Sequence, residues 1–376
     1  MTIWHQLFMW VAYSAFGACL YAAYRTGLSD PAKGAKQLAT IAFFAFMYWL
    51  LESWGYYRAP YYFYPSVFPD MIDHFDWMQY AWFRDWFGEA SNLCAIAPSD
   101  HECTPNLTRG VGAAFDPSRQ ISLSVLLLEA SLTWSVMTTA LLFNQSSAGR
   151  YLQPFLVALV LVLIDAFLDP VLSESHDIAT DADVGAGVRL WQWCVCEDLG
   201  LSWLGIPLFR YGVPVFNNAV WFAGPVILVA LAMIFEWVQY IISLLTGSGG
   251  GGPPPLTILQ LGYTLIVLFG ALLVFAYSPS LSDLMGFQVP IWLQNLMLIL
   301  LLVGTLVATL ALSGSFVGGH PLRLELAYPA LATMLLVLVT YLFAEAGYLR
   351  GNLLWLWVVA LVSGVAVVLF ARRPFQ

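Results

Sequence analysis

The sequence predicts an all-α, polytopic integral membrane bundle of about nine transmembrane helices, on three observations. Apolar residues make up 60% of the chain and charged residues only 10%, too little polar surface for a water-soluble domain of this length. Nine segments each supply roughly 20 apolar residues, the length a bilayer requires. Aromatic residues reach 16%, with Trp and Tyr frequent near the expected helix ends, where amphipathic rings favour the membrane–water interface.

Taken in order, the expected spans are 3–24, 36–55, 121–143, 152–170, 217–245, 256–277, 289–312, 327–345 and 352–371. The first lacks the basic flank and small-residue cleavage site of a removable signal peptide. With nine spans, Arg25, Lys33, Lys36, Arg150, Arg323, Arg372 and Arg373 fall on one side, where the acids are few (Asp30 and Glu325). The positive-inside rule then puts the N-terminus outside and the C-terminus in the cytoplasm. The expected location is the cytoplasmic membrane of a bacterium or archaeon. A formal net charge of -9 argues against nucleic acid and anionic lipid surfaces as partners.

The connecting segments are unequal. Segment 56–120 opens on the aromatic run Tyr56–Tyr64 and continues to Trp77–Trp86, an amphipathic piece suited to the interface or to roofing a cavity. Cys94 and Cys103 share this loop, and an external face would permit a disulfide between them. Cys19 reads as packing, and Cys194 and Cys196 lack companions for a zinc site. Segment 171–213 carries Glu174, His176, Asp177, Asp181 and Asp183, either a solvated acidic loop or a divalent-cation site without EF-hand spacing. Segment 247–255 (GSGGGGPPP without its flanks) is a Gly/Pro linker. It divides a five-helix region, 1–246, from a four-helix region, 256–376, and the intramembrane acids all precede it.

Those acids are Glu52, Glu129, Asp165, Asp169 and Glu236. Asp165 and Asp169 lie one helical turn apart on one face, just before Pro170. Acidic residues within lipid are costly, so two on one face imply a buried partner, a cavity or chemistry; capping of the helix end at the headgroup boundary is the plainer alternative. Glu52 ends the second span and Glu129 lies about two turns inside the third, so the topology lets four acids converge in the outer half of the bundle. Glu236 is expected deeper or toward the inner side, paired with a nearby Trp, Tyr or backbone group. A carboxyl group in a low dielectric tends to stay protonated near neutrality. It is then a Brønsted acid toward an isoprenoid double bond, and neighbouring carboxylates and aromatic faces tolerate the resulting tertiary cation. A proton relay in a transporter would use the same residue types.

Further residues add a resemblance. Asp165-Ala-Phe-Leu-Asp169-Pro170, Trp191-Gln-Trp193, Gly205-Ile-Pro207, Asn217/Asn218 and Trp221 resemble, in that order, motifs of the CruF-type carotenoid biosynthesis membrane proteins. Glu52-Ser-Trp-Gly55 with the tyrosine run ending at Tyr64 is similar to an upstream segment of that family. The resemblance covers residues 45–240. The spacing from Pro170 to Trp191 is stretched, Phe209–Phe216 is inserted, span three carries Glu129 without the family's proline-and-tryptophan pattern, and the last four spans are additional. The resemblance implies a carotenoid 1′,2′-hydratase, a lyase that adds water to the end group of an acyclic carotenoid.

The expected function is therefore a cofactor-independent membrane enzyme that protonates a terminal isoprenoid double bond. Asp165 or Asp169 would donate the proton, and Glu52 or Glu129 would orient water and steady the cation. Trp191, Trp193, Trp221, Asn217, Asn218 and Tyr64 would bind the lipophilic isoprenoid, with no metal or redox cofactor required. A terpenoid or carotenoid cyclase shares the first step, while a proton-coupled transporter or a non-catalytic subunit of a membrane complex is the alternative outside enzyme chemistry. Oligomeric state is not legible in the sequence.

Overall fold

The structure is a computed structural model and describes residues 2–58, 62–63, 68–82, 120–143, 147–177, 182–186, 188, 190–195, 213, 215–247, 256–285 and 324–343. Among the described residues seven long helices appear: α1 (Ile3–Ser29), α2 (Pro31–Arg58), α3 (Leu123–Phe143), α4 (Ser147–Leu172), α5 (Val215–Leu245), α6 (Ile258–Met285) and α7 (Leu324–Phe343). Among the described residues six helices are long and apolar enough to cross a membrane, and α3 contributes a shorter apolar stretch, Leu123–Thr139. These seven coincide with seven of the nine expected spans. The expected spans 289–312 and 352–371 lie outside the described residues, as do Cys94, Cys103 and Cys196.

The bundle is built around α3. Apart from Glu129 its sequence is apolar or hydroxylic on every face, the pattern of a helix with no exposed side. Val125 through Ser135 are buried, including the indole of Trp134. Helices α1, α2, α4 and α7 pack against it. Helix α1 approaches closely because Ala12, Ala15, Cys19, Ala22, Ala23 and Thr26 give it a buried face of small side chains. Past the Gly/Pro segment, α6 packs along α5 while α7 packs against α1, α3 and α4. The C-terminal helices therefore share the core of the N-terminal ones.

Alternating helix directions put all the strands at one end of the bundle. A two-stranded antiparallel pair, β2 (Met71–Asp73) with β3 (Gln120–Ser122), leads into α3. Asp70 anchors it: its carboxylate accepts from Tyr13 Oη of α1 (2.8 Å), Ser122 Oγ (2.9 Å) and the Ser124 backbone N–H (2.9 Å). A carboxylate there satisfies an N–H at the start of α3 that has no partner within the helix. Within segment 171–213, expected as a solvated acidic loop or a cation site, the described residues include three strands: β4 (Ser173–Asp177), β5 (Ala182–Ala186) and β6 (Trp191–Val195). With β1 (Tyr62–Phe63) they form a sheet of order β1-β6-β4-β5, in which β4 and β6 run parallel. Glu174, His176, Asp177 and Asp183 are thus strand positions, with His176 opposite Asp183. Pro170 does not stop α4, which continues to Leu172 and passes directly into β4.

The expected interfacial segment begins as a short 3-10 turn, Trp77–Gln79, strapped along the second half of α2. Trp49 Nε1 donates to the Asp73 carbonyl (2.9 Å), Trp77 Nε1 to the Leu50 carbonyl (3.1 Å), and the Phe75 N–H to Ser53 Oγ (2.8 Å). Phe75 sits edge-on to both Trp49 and Trp77.

The α1–α2 connection depends on two glycines. A Cβ on Gly34 would lie 2.4 Å from the Cα of Gly27, so the two backbones touch. Gly34→Ala should force the helices apart at a cost of about 1–3 kcal/mol and lower the thermal midpoint in detergent. Gly17→Ala, with nothing within 4 Å of its Cβ, should be neutral or stabilising by up to about 1 kcal/mol, the helix-propensity gain. Equal midpoints for the two variants would contradict the close approach.

Candidate functional site

Four of the five expected acids meet at the strand-bearing end. Glu52 comes from the last turns of α2, Glu129 from the second turn of α3, and Asp165 and Asp169 from the end of α4. The α2–α3 register places Glu129 opposite Glu52, and the two interact; Glu129 also feels the charge of Asp165, while Asp165 feels Asp169 and Glu52. Glu129 is 5% exposed and the two aspartates 2% each, so this is an interior cluster. A headgroup cap at the end of a helix would be wet.

The aspartates owe their arrangement to segments far away in the chain. Asn217, in the first turn of α5, donates from one amide nitrogen to both: 3.0 Å to Asp165 Oδ2 and 2.8 Å to Asp169 Oδ2. The other oxygen of Asp169 accepts from the indole N–H of Trp191. Trp191 reaches that point because β6 begins beside the end of α4. The Leu190 N–H bonds the Leu172 carbonyl at 2.7 Å, the Val188 N–H bonds the Val171 carbonyl at 3.1 Å, and Trp191 pairs with Ser173 in the parallel ladder. Phe8 of α1 packs edge-on against the indole at 6.0 Å.

The two halves of the cluster differ in chemistry. Asp165 and Asp169 are held by N–H donors. Glu52 and Glu129 face each other, and a hydrogen bond between two carboxyl groups requires one of them to carry the proton. Among the described residues Glu129 Oε2 is buried with no hydrogen-bond partner, a condition that buried polar atoms rarely show. Among the described residues no set of three or more His, Cys, Asp or Glu is arranged to hold a metal ion.

Glu236 stands apart, and its partner is not the aromatic or backbone group expected. Its carboxylate pairs with Lys36 at 2.8 Å, because the antiparallel packing of α2 and α5 brings the start of one beside the end of the other. Trp221 is partly buried one turn after Asn217 and packs on the main core. Asn218 is half-buried on α5. Trp193 lies on β6 opposite Tyr62 of β1, while Tyr64 and Gly205–Pro207 lie outside the described residues.

The sequence reading missed one polar pair beside the acids. Tyr48 Oη and Thr133 Oγ1 are 2.5 Å apart, both residues buried. Spacing was the available signal: Tyr48 is one turn before Glu52 and Thr133 one turn after Glu129. No family model, curated protein or solved structure matches this chain.

Asn217 is the tie between α4 and α5. Asn217→Leu should destabilise the protein by about 1–3 kcal/mol, since it strips a donor from two buried acceptors. In an Asp165→Asn background the loss should shrink, with a coupling of about 0.5 kcal/mol or more. Denaturant titration in detergent of both single variants and the double variant measures it; strict additivity would contradict the bridge.

Proposed function

We propose that the protein is a membrane-embedded acid catalyst that protonates the terminal double bond of a long isoprenoid and adds water to it, with an acyclic carotenoid as substrate. The convergence of Glu52, Glu129, Asp165 and Asp169 in an apolar interior carries this reading. Residues quoted from separate motifs (Glu52, Asp165, Asp169, Trp191 and Asn217) also assemble at one place.

The geometry favours a division of labour different from the one the sequence suggested. Asp169 accepts N–H donors on both oxygens, which suits that aspartate to hold the negative charge of the pair it forms with Asp165 through the shared Asn217 amide. The Glu52–Glu129 pair has a proton to give and an oxygen, Glu129 Oε2, with no competing partner. In the proposed reaction that proton forms a C–H bond at the less substituted alkene carbon, leaving a tertiary cation at its neighbour. Asp169 opposes the cation electrostatically in a dry site. Water then bonds to the cationic carbon, and its surplus proton returns to the glutamate pair. The net change is one water added per end group, without a redox step.

A cyclase would begin with the same protonation and trap the cation with an internal double bond. A proton-coupled transporter needs a polar route across the bundle. The α2–α3 register that pairs Tyr48 with Thr133 brings Phe44 level with Met137 one turn further in, and both are buried and apolar. That observation favours the enzyme over the transporter. For orientation we infer that the strand-bearing end faces outward, since Arg25, Lys33, Lys36 and Arg150 all belong to the opposite end.

Expression in a host that accumulates lycopene, with pigment analysis by mass spectrometry, tests the function. The expected product is heavier by one or two waters, and Glu129→Gln should abolish it while the protein stays folded. An isomeric product would replace the hydratase by a cyclase, and unchanged lycopene would remove this substrate. A larger loss in Asp165→Asn than in Glu129→Gln would return the donor role to the aspartate.

A further inference from the structure

We infer that Tyr48 and Thr133 are positioning residues for the Glu52–Glu129 pair, the Thr133 hydroxyl orienting that of Tyr48 toward the carboxyls. Their catalytic use rests on the acid chemistry proposed above. Their geometry does not.

Helices α2 and α3 run antiparallel, and two polar rungs join them one helical turn apart. The outer rung is Glu52 facing Glu129; the inner is Tyr48 bonded to Thr133 at 2.5 Å. Each rung takes residues spaced by four on both helices, so both follow from a single register. The hydroxyls on the buried helix α3 are not alike. Ser131 Oγ donates to the Leu127 carbonyl at 2.5 Å and Ser135 Oγ to the Leu132 carbonyl at 3.0 Å, both within their own helix, the usual resort of a helical serine. Thr133, between them, reaches across to Tyr48.

Packing alone does not call for this. Phenylalanine and valine would fill the same space without burying two hydroxyls. The Tyr48 hydroxyl also interacts electrostatically with both Glu129 and Glu52. If Thr133 donates to the Tyr48 oxygen, Tyr48 retains its own proton for a carboxyl oxygen on the rung above. Among the described residues neither Tyr48 nor any other group donates to Glu129 Oε2, so that oxygen is open to the tyrosine when its charge develops. Once the glutamate pair has given its proton to substrate, the remaining carboxylate gains that donor. A hydrogen bond that strengthens as charge develops lowers the barrier without tightening substrate binding.

Infrared spectroscopy of the full-length protein in lipid nanodiscs tests the rung without requiring activity. The carbonyl band of the protonated carboxyl in the pair is identified by its disappearance in Glu129→Gln. Tyr48→Phe and Thr133→Val should each shift that band, the double variant should shift it no further, and Thr133→Ser should restore the wild-type position. Where carotenoid turnover is measurable, Tyr48→Phe should lower kcat on the order of tenfold to a hundredfold with KM unchanged. A band that stays in place in Tyr48→Phe, or in Thr133→Val should the tyrosine variant not fold, overturns the inference. A shifted band in a protein that leaves lycopene unchanged keeps the rung and removes the hydration chemistry; an unshifted band in an active enzyme does the reverse.

Discussion

The register of α2 against α3 is the constraint on which the rest of the structure depends. Glu129 sits in the most enclosed helix of the bundle, where an ionisable group without a partner is severely destabilising. A slip of one residue on α3 would turn the carboxyl by about 100° into the aliphatic core. The same slip would separate Tyr48 from Thr133. Two polar rungs one turn apart therefore hold one alignment, and the apolar contacts around them fill in accordingly. The neighbouring helices are set by this. Helix α1 fits against α3 through its small residues, and the touching backbones of Gly27 and Gly34 fix how α2 leaves α1.

The cluster that this register creates is asymmetric, and the asymmetry is chemical. Two acids from α4 are surrounded by N–H groups brought by α5 and β6, while the acids from α2 and α3 have each other and a hydroxyl pair below. In the proposed chemistry this difference would separate Asp169, which holds charge, from the glutamate pair, which holds a proton. The sheet has a direct part in the separation. Parallel pairing of β4 with β6 starts at Ser173 and Trp191, and this returns an indole N–H to the last turn of α4.

Hydropathy made the helices legible because each is long, apolar and nearly free of charge. It also made the meeting of Glu52, Glu129, Asp165 and Asp169 legible, since alternating spans bring those positions to one end whatever the details of packing. The sheet was not legible. Ser173–Asp177 is polar on both faces and Ala182–Ala186 is small, so neither shows the alternation that signals a half-buried strand. Their pairing is decided by backbone hydrogen bonds beside the end of α4. The assignment of roles among the acids was hidden for a related reason: it depends on which donors arrive from Asn217 and Trp191, 48 and 22 residues away from Asp169 in sequence. Glu236 shows the converse failure. Its membership of an apolar span suggested a buried partner, yet the antiparallel helices bring it to the exposed Lys36.

The polar groups of the interior are also unevenly distributed along the bundle axis, and this bears on what the site is for. Along the α2–α3 contact the polar rungs inward from the aspartates are Glu52 with Glu129, then Tyr48 with Thr133. The next turn of α2 and α3 offers Phe44 and Met137. A path for ions or protons would have to continue to the end that carries Arg25 and Lys33. A site for chemistry on the end of a lipophilic molecule has the opposite need. It requires a dry floor, so that a cation formed beside the acids meets only the water admitted from one side. The apolar turn beneath the tyrosine–threonine rung supplies such a floor. Four of the five acids thus gather in one half of the bundle, with Glu236 on Lys36 at the other end, an arrangement that supports the proposed acid catalysis better than transport across the bilayer.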